Sequence, residues 1–256
     1  MSTALPDRRY RLGPLVIDLV ERAEMIDTLV DSVRGGKGLC AGYVNAHIFE
    51  ELHGNPELAE AMRSLDLVFC DGVGARLGLR FLGVPVPERM ATPDFIDEIF
   101  TRLREIGSSV FLLGDEPQVA KKMAEAVTER FGEMVAGYHH GYFGPEEEHR
   151  VAGMVRESGA GMVLVAMGCP RQEIWMARHR GRLSSATSLA VGGMFRWYTG
   201  HERRGPRWMT DRGFEWLFRL IVQPRRVAKR YLLGLPRFGA RILGYRLRGV
   251  RGDSTP

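Results

Sequence analysis

Between Leu65 and Asp94 a short apolar run, Leu67-Val68-Phe69-Cys70, breaks abruptly at Asp71-Gly72-Val73-Gly74 and resumes as an amphipathic segment from Ala75 to Leu82. Four unbroken apolar residues bounded by a turn signal read as an interior parallel strand. A strand that ends in Asp-Gly and feeds a helix leaves one carboxylate at its carboxyl edge, where open α/β sheets bind ligands. The glycines permit close backbone approach, and the helix start offers unpaired N–H groups. Asp71 therefore has two readings: cap of the following helix, or ligand-facing carboxylate.

The same grammar recurs along the chain. Leu15-Val16-Ile17-Asp18-Leu19 reads as a first strand, followed by a helix over Glu21–Val33. Leu39 to Val44 leads into Asn45-Ala46-His47 and a helix to Leu52. Asn45 thus sits at a second strand end, where it either caps a helix or offers its amide to a ligand; His47 reads as a helix-surface residue. Thr92 is expected to cap a helix with Pro93 at its first position. Val110–Leu113 ends in Gly114-Asp115, a pair compatible with a phosphate or ribose, and Met134–Tyr138 ends in His139-His140-Gly141. Met162–Ala166 runs into Met167-Gly168-Cys169-Pro170, so a helix starting at Pro170 puts Gln172 and Glu173 in its first turn, facing the strand-end rim. Leu189-Ala190-Val191 breaks at Gly192-Gly193. Strands alternating with helices at this spacing predict an α/β fold, a doubly wound, Rossmann-like parallel sheet over residues 1–200.

Composition narrows the function classes. The three cysteines, Cys40, Cys70 and Cys169, form no CxxC and read as buried small hydrophobes. His139-His140 has no third ligand at a workable spacing, so no metal site is expected. No GxGxxG follows the first strand, which counts against a nicotinamide-dependent oxidoreductase. The start, MSTALPDRRYRL, has no apolar core of a secretory signal, and no apolar run approaches the roughly 18 residues of a membrane span. A cytoplasmic protein is expected.

The net charge of +5 conceals an asymmetry: residues 196–256 hold 15 Lys+Arg against 4 Asp+Glu, whereas residues 1–195 hold 21 against 27. Residues 201–248 read as a basic helical appendage, with helices over Phe214–Ile221 and Pro224–Leu233, and residues 249–256 as a disordered tail. Arg219, Arg225, Arg226, Lys229 and Arg230 punctuate Trp216, Phe218, Tyr231 and Leu232. Such a segment suits an anionic bilayer surface or another phosphate-bearing partner. A non-catalytic module that binds membrane or nucleic acid through this tail is the alternative function; with no RNP-like or zinc-finger signature, nucleic acid is not the expected partner.

In order and spacing these blocks resemble the WecG/TagA/CpsF glycosyltransferases (glycosyltransferase family 26). The similarity starts with Asn45, Asp71-Gly72-Val73-Gly74, Glu88-Arg89 and Gly141-Tyr142-Phe143. It continues through Gly168-Cys169-Pro170-Arg171-Gln172-Glu173, Val191-Gly192-Gly193-Met194-Phe195, Gly200 and Arg203-Arg204-Gly205-Pro206. Glu215-Trp216, Arg219-Leu220, Pro224-Arg225-Arg226 and Arg230-Tyr231 close it, over roughly residues 14–240. The resemblance implies a metal-independent, cofactor-free, inverting transfer from a UDP-sugar to a polyprenyl-diphosphate-linked sugar in bacterial surface-polymer synthesis, at the inner face of the cytoplasmic membrane. Asp71 is the implied base. Asn45, Arg89, Gln172, Tyr43 and Gly168 are implied at the donor, and Arg219, Arg225, Arg226 and Arg230 at the departing diphosphate. Tyr43 stands where many relatives have Thr, Cys169 where a small residue is usual, and Gly205 where Ala is common. Donor sugar, acceptor, linkage and any homo-oligomer are left open.

Overall fold

The computed structural model describes residues 9–88, 90–183, 185–211, 214–250 and 253–255. The chain begins with β1 (Arg9–Leu12), β2 (Leu15–Asp18), α1 (Arg22–Arg34), β3 (Cys40–Val44), α2 (Ala46–Gly54), α3 (Pro56–Ser64) and β4 (Leu67–Cys70). Then come α4 (Val73–Phe81), α5 (Thr92–Glu105), β5 (Val110–Gly114), α6 (Pro117–Phe131), β6 (Val135–His139), α7 (Pro145–Glu157) and β7 (Met162–Ala166). They are followed by α8 (Arg171–His179), β8 (Thr187–Ala190), α9 (Met194–Tyr198), α10 (Arg207–Asp211), α11 (Glu215–Val222) and α12 (Pro224–Ala228). A π-helical turn (Lys229–Gly234) leads into α13 (Leu235–Leu247), and β9 (Asp253–Thr255) closes the chain.

Six strands form a parallel sheet in the order β4-β3-β8-β7-β5-β6. The strands β3, β4, β5, β7 and β8 are buried along their whole length, as strands of a parallel sheet covered on both faces are. Helices cover the sheet with apolar stripes at helical spacing, for example Phe95, Ile96, Ile99, Phe100 and Leu103 of α5. The result is a Rossmann-like α/β fold.

Several segments depart from the sequence reading. The run beginning at Leu15 is a strand outside the parallel sheet. Gly13-Pro14 turns β1 back on β2 with Leu12 opposite Leu15, so the two form an antiparallel hairpin. That hairpin guards the β4 edge: the buried Asp18 carboxylate holds Arg9 (Nε to Oδ1, 2.8 Å) and accepts the Val68 backbone N–H at 2.6 Å. Residues 253–255, expected in a disordered tail, pair with β1 as β9. A helix absent from the sequence reading, α3, starts after Asn55, whose side-chain oxygen accepts the Leu58 N–H at 3.0 Å. At α5 the helix starts at Thr92 itself, with Ala91 in the cap position.

The C-terminal helices return to the body through α13, likewise unforeseen. Phe238, Ile242 and Tyr245 lie on one face of it at helical spacing. Phe238 meets Phe49 of α2 edge-on at 5.2 Å, Tyr245 Oη lies 2.6 Å from His53 Nε2, and Arg241 Nε donates to Glu50 Oε1 at 2.9 Å. Gly78 of α4 makes room for the Phe238 ring, since a Cβ there would stand 2.6 Å from it.

Candidate functional site

Four neighbouring strands of the sheet, β4, β3, β8 and β7, end on one rim, and their trailing residues line a single cleft of about 1160 Å³. That exceeds the ~300–1,000 Å³ typical of small-molecule sites. Asp71 stands at the end of β4, half-buried. Its backbone N–H donates to Val44 O of β3 at 2.8 Å, and its backbone pairs with Met90 on the other side, so the residue is held between two segments. Gly72 follows at φ +87, a conformation a side chain would strain, and α4 begins at once. Asp71 thus ends its strand at the cavity wall, and Gly72 rather than Asp71 occupies the cap position of α4.

Asn45 at the end of β3 does cap a helix: its Oδ1 accepts the N–H groups of His47 and Ile48, each at 3.0 Å. With the oxygen engaged, the amide's two N–H donors are its remaining hydrogen-bonding capacity at the cavity wall. Tyr43 is buried, with its hydroxyl against Gly192 at the end of β8; a Cβ on Gly192 would lie 2.4 Å from that oxygen. Gly168, at the end of β7, joins the wall from the opposite side.

Gln172 is placed differently from expectation. It is fully buried and is absent from the cavity wall. Its Oε1 accepts the backbone N–H groups of Gly168 and Gly192, both at 3.1 Å, and its Nε2 donates to Glu173 Oε1 at 2.7 Å. The side chain staples two wall loops together instead of touching what lies between them. Glu173 is also fully buried. Burial pushes its pKa up to about 7, against the opposing effects of the Gln172 amide, its own backbone N–H and the Cys169 thiol.

Of the predicted arginines, Arg219 of α11 reaches the cavity wall. Its guanidinium carbon lies 4.3 Å from the centre of the Trp197 ring, and Nη2 stands 3.9 Å from Glu202 Oε2. Arg225 is exposed on α12 and is not on the wall. Arg89 and the side chains of Arg226 and Arg230 fall outside the described residues. Asp115 is committed elsewhere: its carboxylate binds Arg196 through Nε at 3.0 Å and Nη2 at 2.8 Å, and it takes no part in the cavity.

Several wall residues were not foreseen as such. Trp216 and Tyr231, read only as part of a basic segment suited to a bilayer surface, line the cleft with their rings 6.2 Å apart. Gln223, four residues after Arg219 and the cap that ends α11, lines it too; among the described residues its Oε1 and Arg219 Nε are buried without hydrogen-bond partners. Two orphaned polar atoms one turn apart are what a bound polar ligand would satisfy. His47 and Cys169, read as surface and core residues, are wall residues as well. Cys40 and Cys70 are buried thiols, pushed up by burial to about 11 and about 12. His139 Nδ1 lies 2.8 Å from His140 O, and among the described residues no three His, Cys, Asp or Glu side chains converge as a metal site would require.

A strand-end cleft in a Rossmann-like sheet, with a carboxylate on one wall and a ring-stacked guanidinium on another, has the make-up of a site for a polar small molecule. The sequence profile of the Glycosyl transferase WecG/TagA/CpsF family matches residues 10–252. The chain belongs to that family and is a glycosyltransferase.

Proposed function

We propose that the cleft moves a sugar from a UDP-sugar to a polyprenyl-diphosphate-linked saccharide, with inversion and without a metal ion, in the synthesis of a bacterial surface polymer. The observation that carries the reading is that Asp71, Asn45 and Arg219 share one cavity although they come from opposite ends of the chain. In the step, the acceptor hydroxyl oxygen bonds to the anomeric carbon while the Asp71 carboxylate takes its proton. The bond from that carbon to the UDP oxygen breaks, and its electron pair leaves with the diphosphate. Arg219 meets the growing negative charge, held flat by Trp197, and Arg225, Arg226 and Arg230, which follow it in the chain, add positive charge to the same segment. Asn45, Tyr43, Gly168 and Arg89 orient the donor.

A peripheral position on the inner face of the cytoplasmic membrane fits the surface of the C-terminal helices. Leu217, Ile221, Val222, Leu232, Leu243 and Leu247 are exposed there amid arginines, and no helix among the described residues is long and apolar enough to cross a membrane.

Asp71→Asn tests the reading. It should leave UDP binding intact and lower UDP release in the presence of a short polyprenyl-diphosphate-sugar analogue by about 10² or more. Unchanged turnover would remove Asp71 from the role of base.

A further inference from the structure

Glu173 is an ionisable residue with no exposure to solvent and, among the described residues, no salt bridge. Its Oε1 takes the Gln172 amide, and its own backbone N–H and the weakly donating Cys169 thiol are the other groups that favour its charge. A buried carboxyl so poorly matched is costly to the fold, and an apolar side chain of equal length would pack there without that cost. Something other than packing has to account for an acid at this position.

The hydrogen bonds around Gln172 supply the reason. A carboxamide has one accepting and one donating end. Gly168 and Gly192 present two N–H donors to Gln172, so only the oxygen can face them. Both glycines have left-handed backbones, φ +76 and φ +55, and both line the cleft. The NH₂ end must then meet an acceptor, and Glu173 is that acceptor. If residue 173 cannot accept, the amide keeps its oxygen on the two N–H groups but leaves its NH₂ buried without an acceptor, a cost that weakens its hold on both loops. From this we infer that Glu173 is a positioning residue. It gives the Gln172 NH₂ its acceptor, and through Gln172 it steadies the two glycine loops that shape the donor side of the cleft. The role in donor binding rests on the reading proposed above; the role in holding the loops does not.

Two variants, Glu173→Met and Glu173→Gln, separate positioning from packing, because the second keeps an acceptor and the first does not. Hydrogen exchange reads the loops with no ligand present. In Glu173→Met, exchange at residues 167–169 and 191–193 should rise about tenfold or more over wild type, the scale of hydrogen bonds lost at a local opening. In Glu173→Gln it should stay within about threefold, because an acceptor is retained. UDP binding by calorimetry reads the consequence: about tenfold weaker in the Met variant and close to wild type in the Gln variant. The melting temperature of the Met variant should hold or rise. A double variant, Gln172→Met with Glu173→Met, should bind UDP no more weakly than Gln172→Met alone, since Glu173 acts through Gln172.

Wild-type exchange at both loops in the Met variant would overturn the inference. So would faster exchange in the Gln variant, or additive losses in the double variant. Should the Met variant fail to fold, the Gln variant decides on the exchange measurement alone. Wild-type protein that binds no UDP would refute the proposed donor, and the exchange data would still decide the role of Glu173.

Discussion

The raised pKa of Glu173 makes a thermodynamic prediction that needs no substrate. In the unfolded chain a glutamate titrates near pH 4.5, and in the folded protein Glu173 is pushed up to about 7. Between those values the native state binds more protons than the unfolded state, so stability falls as pH rises. Below about pH 4.5 both states are protonated and the penalty is absent; above about pH 7 it is fully developed and constant. The separation corresponds to roughly 3 kcal/mol at pH 8 and about 1 kcal/mol at pH 5.5. Glu173→Gln removes the titration and preserves the shape and the acceptor. Its stability relative to wild type, from urea unfolding followed by tryptophan fluorescence, should therefore be about 2 kcal/mol more favourable at pH 8 than at pH 5.5. A difference between variant and wild type that stays the same at both pH values would show that Glu173 ionises in the folded protein as it does in water. The account of it as a buried, ill-matched acid would then fall.

Two further substitutions probe how the cleft is assembled. Gly192→Ala forces a side chain into φ +55 and places its Cβ 2.4 Å from Tyr43 Oη, so it should cost roughly 1–3 kcal/mol in urea unfolding. Adding Tyr43→Phe removes the clashing oxygen and should recover part of that loss; no recovery would mean that the contact is not the cause. Phe238→Ala empties the seat between α2 and α4 and should cost about 3 kcal/mol, with trypsin cutting α13 at Arg237 or Arg241 much faster than in wild type. Cutting at the wild-type rate would show that α13 is held elsewhere.

The residues that were legible in the sequence owe it to local signals. An apolar run stopped by Asn, Asp or Gly identifies a strand end from a handful of adjacent positions, and this is how Asn45, Asp71, Gly168 and Gly192 could be placed on one rim. The hairpin of β1 and β2 was missed because β2 is as buried and apolar as an interior strand; the discriminating signal was the Gly13-Pro14 turn between Leu12 and Leu15. Gln172 was misplaced because motif position says that a residue belongs to a site without saying whether it faces the ligand or the wall behind it. Its burial depends on two loops, one of them reached across the neighbouring strand. The packing of α13 was out of reach for a similar reason. An aromatic residue in a basic helix looks bilayer-facing until its partner is known, and the partner of Phe238 is a missing side chain, Gly78, far back in the chain.

The two charged groups at the cleft come from different parts of the fold. The carboxylate belongs to the sheet, where Asp71 is pinned on both sides by backbone pairing. The guanidinium of Arg219 belongs to the C-terminal helices, which reach the body through α13 and through the stacking of Arg219 on Trp197 of α9. A body lacking those helices would keep its strand-end rim and lose the wall formed by Trp216, Arg219, Gln223 and Tyr231. If the exposed leucines of the same helices meet a bilayer, the segment that closes the cleft is the segment that senses the membrane. Docking at the lipid surface and completion of the site would then be two consequences of one packing event, and a leaving diphosphate would be stabilised best where a lipid-linked acceptor is at hand.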